Sequence, residues 1–126
     1  DYIDLCVRKL ERLMEDEKVY TDPDLTLPLL AEKIHTSHHK LSRILNENLK
    51  QGFSEYINSY RIREAQQLMT GPRAKQLSVT TIAFNVGFNT MTAFYKAFRK
   101  QTGTTPREFK IKTAKLNSEQ TKNEEM

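Results

Sequence analysis

The 126 residues, 37% hydrophobic and 29% charged, allow one compact domain of about 100 residues plus tails and exclude a second core of similar size. A single cysteine excludes an internal disulfide, and no secretory signal or apolar run of roughly 18 residues occurs, so we expect a cytoplasmic segment that does not span a membrane. Residues 1–24 carry eight acidic against four basic side chains, whereas residues 25–112 carry fourteen Lys or Arg against five Glu. The basic excess of residues 25–112 is compatible with binding to a polyanion, with binding to a membrane surface, or with a contribution to solubility alone.

The first predicted element is an amphipathic helix over residues 2–17. Its apolar residues recur at spacings of three and four, which is typical of one helical stripe: Ile3, Cys6, Val7, Leu10, Leu13 and Met14. This stripe either docks on the following domain or pairs with a second copy as a coiled coil, and we favour docking. Residues 21–24 surround a proline and predict a loop, so residues 1–24 form a connector. Because the chain begins with Asp1, we interpret it as a piece of a longer protein.

From Leu25 onward the sequence contains a weak internal repeat. At an offset of 52, Leu25, Thr26, Leu27, Leu30, Ala31 and Ile34 match Leu77, Ser78, Val79, Ile82, Ala83 and Val86. At an offset of 53, Leu41, Arg43, Leu45, Glu55 and Tyr56 match Phe94, Lys96, Phe98, Glu108 and Phe109. The sequence therefore predicts two units of similar structure.

Each unit predicts a short helix, a tight turn and a second helix. The first helices begin at the hydroxyl caps Thr26 and Ser78, and the second helices begin at Ser37 and Asn89. The turns are His35-Thr36 and Gly87-Phe88. This order is that of a helix-turn-helix unit, in which a small residue at Ala31 and Ala83 lets the two helices approach closely.

Between the units, residues 53–69 predict one long helix that ends at Gly71-Pro72. Its Arg61 and Arg63 either reach a phosphate backbone or face solvent. After the second unit, the run from Thr105 to Glu108 predicts a helix start with a threonine cap and a proline at the first position. Residues 113–126 are polar and lack periodicity, so we predict a disordered tail.

The most specific stretch of the chain runs from Ile82 to Asn89, continues through residues 94–100 and ends at residues 103–109. It is similar to the C-terminal signature of the AraC/XylS transcription regulators, and residues 25–111 as a whole resemble that family. The first unit departs from the pattern, since His35 and Lys50 stand where glycine is usual. There the backbone is strained, or the helix runs on to a cap at Gly52. The resemblance implies an all-α, homeodomain-like fold of seven helices, in which residues 25–112 form two helix-turn-helix subdomains joined by a long linker helix.

The resemblance also implies sequence-specific binding of double-stranded promoter DNA, with two recognition helices in successive major grooves. The candidates for contact with bases are His38, His39, Ser42, Arg43, Met91, Thr92, Tyr95 and Lys96. The candidates for contact with phosphates are Lys40, Arg99 and Lys100. Arg43 is a candidate for bidentate bonds to guanine, and its alternative, like that of Lys96, is a solvated helix face. Tyr95 has packing against a neighbouring helix as its alternative.

We expect an output domain of a longer bacterial regulator, with no catalytic residue, cofactor, metal or small-molecule ligand in this segment. A metal site at Glu32, His35, His38 and His39 is disfavoured because a turn intervenes. Other implied partners are RNA polymerase and a second copy, held through the N-terminal helix or through regions outside this chain, and a membrane anchor elsewhere is compatible. A helical protein-interaction bundle is the alternative, but it does not explain two matching units with basic outward faces.

Overall fold

Seven α-helices make up most of the computed structural model, which describes the backbone of residues 1–124 and the side chains of residues 1–119. They are α1 (Tyr2–Glu15), α2 (Leu27–Lys33), α3 (His38–Arg43), α4 (Phe53–Thr70), α5 (Val79–Asn85), α6 (Met91–Thr102) and α7 (Pro106–Glu124). A π-helical turn, Ile44–Asn48, continues α3, and short 3-10 turns lie at Val19–Thr21 and Ala74–Gln76. The described residues contain no strand, which confirms the predicted all-α class. None of their helices is both long and apolar enough to cross a membrane.

The chain forms two units, each with its own core, so the expectation of one compact domain with a single core is corrected: the buried apolar residues are divided between two separate clusters. Unit 1 comprises Asp1–Arg61 and unit 2 begins at Ile62, so the boundary falls within α4. The unit 1 core includes Leu30, Ile34, Leu41, Leu45 and Ile57. The unit 2 core includes Ile62, Ile82, Val86, Phe94 and Phe98. Each unit therefore stabilises one pair of short helices by burying their apolar faces.

Helix α1 packs into the unit 1 core. Its stripe residues Cys6, Leu10, Leu13 and Met14 are buried there together with residues of α2 and α3. This confirms docking over the coiled-coil alternative for the stripe. The helix begins at Asp1, whose side chain accepts a hydrogen bond from the Ile3 amide.

Truncating the α1 stripe tests this docking. We expect Leu10→Ala to lower the free energy of unfolding by about 2–5 kcal/mol, since Leu10 is fully buried and its removal leaves a cavity. Leu5 lies on the opposite face and is 50% exposed, so Leu5→Ala is the matched control and should change stability by less than about 0.5 kcal/mol. Urea denaturation followed by circular dichroism measures both variants. Equal effects of the two substitutions would contradict docking.

Arg61 has a structural role that neither sequence interpretation contained. Its Nε donates a hydrogen bond to the Tyr20 carbonyl at 2.6 Å, and its Nη2 donates one to the Asp22 carbonyl at 3.0 Å. Burial lowers the pKa of Arg61, and the Asp22 carboxylate partly offsets this effect. The guanidinium therefore holds the loop after α1 against α4, and this role replaces both alternatives for Arg61, a phosphate contact and a solvent-facing side chain. Arg63 is exposed.

Aromatic side chains fill much of the unit 2 core. The ring of Phe94 lies 5.3 Å from that of Phe88 and 5.6 Å from that of Phe98, and the ring of Phe98 lies 5.6 Å from that of Phe109. Because Phe109 belongs to α7, this contact attaches α7 to α6. The Lys110 ammonium also donates a hydrogen bond to the Leu77 carbonyl. Helix α7 is thereby packed at its first two turns.

Helix α7 differs from the prediction in its length. The predicted start is confirmed, because the Glu108 amide donates to Thr105 Oγ1 at 3.1 Å and the Thr105 amide donates to Glu108 Oε2 at 3.4 Å. The predicted disordered tail at 113–126 is corrected for residues 113–124, which continue the helix. The physical reason is that the helix formers Ala114, Lys115 and Leu116 follow the docked turns without an intervening glycine or proline. Residues 125–126 lie outside the described residues.

Candidate nucleic-acid interface

The first helix-turn-helix consists of α2, the turn at residues 34–37 and α3. Thr26 Oγ1 accepts a hydrogen bond from the Leu29 amide at 3.3 Å, and Ser37 Oγ accepts one from the Lys40 amide at 3.2 Å, so both predicted caps are confirmed. The Thr36 amide donates to the Ala31 carbonyl at 3.0 Å and closes the turn. Ala31 is fully enclosed where the two helices meet.

The second helix-turn-helix consists of α5, the turn at residues 86–90 and α6. Ser78 Oγ accepts from the Thr81 amide at 3.1 Å, and the Phe88 amide donates to the Ala83 carbonyl at 3.1 Å, the counterpart of the first turn. The cap of α6 is Thr90, whose Oγ1 accepts from the Ala93 amide at 3.1 Å. The prediction of Asn89 is therefore wrong by one residue. Asn and Thr are both good caps, and only the extended backbone at position 90 selects between them.

The two positions that depart from the glycine pattern both adopt a left-handed backbone. His35 has φ 59° and Lys50 has φ 57°, while their counterparts in the second unit, Gly87 and Gly103, have φ 115° and 78°. A left-handed conformation costs a residue with a Cβ roughly 1–2 kcal/mol. The first unit therefore carries backbone strain that the second avoids, as expected.

Relieving this strain gives a measurable effect. We expect His35→Gly to raise the free energy of unfolding by about 0.5–1 kcal/mol, because removal of the left-handed penalty exceeds the entropy that glycine adds to the unfolded chain. Glu32→Gly, in the right-handed interior of α2, is the matched control and should lower stability by about 0.5–1 kcal/mol. Urea denaturation distinguishes the two signs. Destabilisation by both glycines would show that His35 is not strained.

Helix α3 buries one face and exposes the other. Leu41, Ile44 and Leu45 lie in the unit 1 core, and this fixes the rotation of the helix about its axis. The predicted reading residues lie on the other side: His38, His39, Lys40 and Arg43 are exposed and Ser42 is half-buried. Unit 1 therefore presents these five residues together on one helix, and we call them the first reading surface; the candidate residues of α6 form the second.

Contacts among the reading residues of unit 1 constrain several side chains. The rings of His38 and His39 lie 4.0 Å apart. Asn46 Nδ2 donates to the Ser42 carbonyl at 2.9 Å and lies 3.4 Å from Ser42 Oγ. Arg43 Nε lies 3.6 Å from Glu47 Oε1. The surface therefore extends beyond α3 into the π-helical turn.

Two residues beside the first reading surface were missed by sequence reasoning. Tyr2 of α1 shares a hydrogen bond of 2.5 Å with Thr36 Oγ1, and the Lys40 ammonium lies 5.5 Å from the centre of the Tyr2 ring. No local pattern could have placed Tyr2 beside residues 34 positions later. Glu47, in contrast, lies four residues after Arg43 on a predicted helix, a spacing that brings opposite charges together and could have been recognised.

Helix α6 has the same division into a buried and an exposed face. Phe94 and Phe98 are buried in unit 2, while Thr92, Tyr95, Lys96, Arg99 and Lys100 are exposed. Met91 is half-buried and packs against the core, so less of its side chain is available to a ligand than predicted. Tyr95 is 47% exposed and its ring lies 6.0 Å from that of Phe94, so it both packs and projects outward.

Both reading surfaces are polar and lack acidic clusters that would suit a metal. Among the described residues, no group of three or more His, Cys, Asp or Glu side chains comes close enough to hold a metal ion. The metal alternative at Glu32, His35, His38 and His39 therefore has no support in the arrangement of these residues. What the surfaces offer is cationic, hydroxyl, imidazole and aromatic groups, which are the groups that contact phosphates and base edges.

Comparison with known proteins gives consistent matches. A family model described as a helix-turn-helix domain matches residues 30–111. The chain is 32% identical over 81 residues to the Msm operon regulatory protein of Streptococcus mutans, covering 64% of this chain and 28% of that protein. It is 28% identical over 99 residues to the HTH-type transcriptional regulator CdhR of Pseudomonas aeruginosa, covering 79% and 29%. The chain thus spans less than a third of the length of these relatives.

A solved structure extends the match to the fold. The C-terminal domain of AraT, a response regulator from Geobacillus stearothermophilus, superposes with a TM-score of 0.72 at 27% identity. The alignment covers 86% of this chain and 84% of that chain, a larger share of this chain than the family model matches.

Proposed function

Because this chain belongs to the AraC-type helix-turn-helix family of DNA-binding transcription regulators, we propose that α3 and α6 read promoter DNA in two successive major grooves. The major groove admits an α-helix and presents a different pattern of donors and acceptors for each base pair. Each helix has one face anchored in its own core and the other exposed. The observation that carries the proposal is this repetition of an anchored helix with an outward polar and basic face.

Within this proposal the candidate side chains of the two helices have two roles. Contacts with base edges come from His38, His39, Ser42, Arg43, Met91, Thr92, Tyr95 and Lys96. Contacts with phosphates come from Lys40, Arg99 and Lys100, which supply charge without reading sequence. Arg43 has the leading role in unit 1, since its planar guanidinium matches the O6 and N7 acceptors of guanine.

The proposal extends to the longer protein of which this domain is the output part. The curated relatives are three or more times longer than the matched region, which supports a separate regulatory part. RNA polymerase and a second copy of the regulator are proposed partners. Promoter DNA as the ligand supports a cytoplasmic location for this domain, and we assign it no catalytic activity because its family and fold are those of DNA-binding regulators.

Selection of bound DNA from a random pool tests the proposal directly. We expect enrichment of a site with two sequence blocks about one helical turn, 10–10.5 base pairs, apart, since two helices on one face of the duplex enter successive grooves. Fluorescence anisotropy at two salt concentrations then compares the selected site with unrelated DNA. The absence of sequence preference at either salt concentration would reject the proposal, and enrichment of a single block would reject the use of two grooves.

A further inference from the structure

An acidic side chain lies on the first reading surface, next to its main candidate for base recognition. Glu47 Oε1 is 3.6 Å from Arg43 Nε, and the two side chains are 66% and 77% exposed. Glu47 belongs to the π-helical turn that continues α3. The pair therefore projects together from the surface that unit 1 offers to DNA.

A carboxylate at this place opposes binding to a polyanion. It repels phosphates and removes part of the charge that Arg43 brings. An exposed pair of this kind stabilises a fold only weakly, so stability does not account for it. A role in base recognition does account for it, because a lower affinity for DNA in general is then offset by greater selectivity between DNA sites.

The second unit provides an internal contrast. Glu47 is the only acidic residue between His38 and Lys50, and the stretch from Thr90 to Gly103 has none. At the repeat offset of 53, the counterparts of Arg43 and Glu47 are Lys96 and Lys100. In the first recognition helix an acid thus stands four residues after the arginine, whereas in the second a lysine stands four residues after the lysine. This difference is consistent with the chemistry of the two side chains. A planar guanidinium has two distinct donor edges that must be oriented, whereas an ammonium has no distinct edge.

We propose that Glu47 is a positioning residue that holds Arg43 by its Nε edge and leaves the edge formed by its two Nη groups to bond guanine. This inference rests on the proposed base-reading role of Arg43. Holding the side chain before DNA arrives reduces the rotamer entropy that binding must remove. It also limits the alternative in which Arg43 bonds a phosphate, since the carboxylate repels phosphate from that edge.

The π-helical turn supports this assignment. The Leu49 amide lies 3.2 Å from both the Ile44 and the Leu45 carbonyls, so the widened turn ends at Asn48, one residue after Glu47. The buried side chains of Ile44 and Leu45 anchor the turn in the unit 1 core. Glu47 is therefore presented from a fixed backbone four residues after Arg43.

Measurements of both affinity and selectivity distinguish the positioning role of Glu47 from simple repulsion of DNA by its charge. Glu47→Ala in the full chain is measured by anisotropy against the selected site, the same site with the guanine read by Arg43 replaced, and unrelated DNA. We expect binding to unrelated DNA to strengthen about threefold through loss of one negative charge. Discrimination at the guanine should fall about five- to tenfold, as a part of what one bidentate contact contributes. Glu47→Gln, which retains an acceptor for Nε, should lie between Glu47→Ala and the parent.

Controls make each outcome decisive. Glu17→Gln removes the same charge beyond the far end of α1, about 20 Å along that helix from Tyr2, and should leave discrimination unchanged. Equal strengthening on all DNA by Glu47→Ala, with discrimination intact, would overturn the positioning role. A loss of selectivity at a different base pair would also overturn it and would instead make Glu47 a base reader. If Arg43→Ala leaves discrimination at the guanine intact, the base-reading role of Arg43 itself fails, whatever Glu47 does.

Discussion

Arg43→Ala is expected to weaken binding to the selected DNA site by about 1–3 kcal/mol, or roughly five- to 150-fold, and to remove the preference at one base pair. Arg43 is 77% exposed and lies on the outward face of α3, so its removal leaves the unit 1 core unchanged. The loss therefore falls on recognition. Anisotropy on a panel of sites with single base-pair changes measures it, and circular dichroism verifies the fold.

The matched variant for Arg43→Ala is Lys100→Ala in the second reader. Because Lys100 is assigned to a phosphate, its removal should weaken all DNA sequences alike and reduce the slope of log affinity against log salt by about one. Both substitutions remove one positive charge from an exposed helical face. Equal effects of the two variants on selected and unrelated DNA would show that the division between base and phosphate contacts is wrong.

Phe98→Ala is expected to lower the free energy of unfolding of unit 2 by about 3–5 kcal/mol. Phe98 is fully buried, and its ring lies 5.6 Å from those of both Phe94 and Phe109. The cavity thus opens where α6 meets α7, and the second recognition helix loses its anchor. Since unit 1 buries a separate set of residues, its core should remain protected.

Hydrogen exchange resolved along the chain measures this prediction. Amides of α5 and α6 should lose protection, while those of α2 and α3 should keep most of theirs. Lys96→Ala, on the exposed side of the same helix, is the control and should change stability by less than about 0.5 kcal/mol. Uniform loss of protection throughout the chain would show that the two cores unfold as one.

Local features of the fold were accessible from the sequence. The caps at Thr26, Ser37 and Ser78 and the helix start at Thr105 depend on contacts within three residues, and all are confirmed. The error at Asn89 arose where two adjacent residues are both good caps. The assignment of individual side chains to bases and phosphates stays a prediction, since it depends on a ligand and not on the chain alone.

The length of α7 depends both on the local sequence and on tertiary contacts of its first turns. Polar residues without periodicity predict that no face is buried, and the side chains of residues 114–119 are exposed. Helix propensity favours continuation of the backbone helix from turns that Phe109 and Lys110 hold in place. The lack of periodicity thus correctly indicated that residues 114–119 bury no face, but it wrongly predicted that their backbone is disordered.

The repeat, the capping residues and the spacing of apolar positions determined the two helix-turn-helix units, because each of these depends on residues close together in the sequence. The stripe of α1 favoured docking, but only the tertiary structure decided that it packs with residues of α2 and α3, that Arg61 bonds the carbonyls of Tyr20 and Asp22, and that Tyr2 lies beside Lys40. These contacts join residues 38 to 41 positions apart or bring whole helices together. Their formation depends on which buried faces pack together, and the pattern of a single segment does not contain that information.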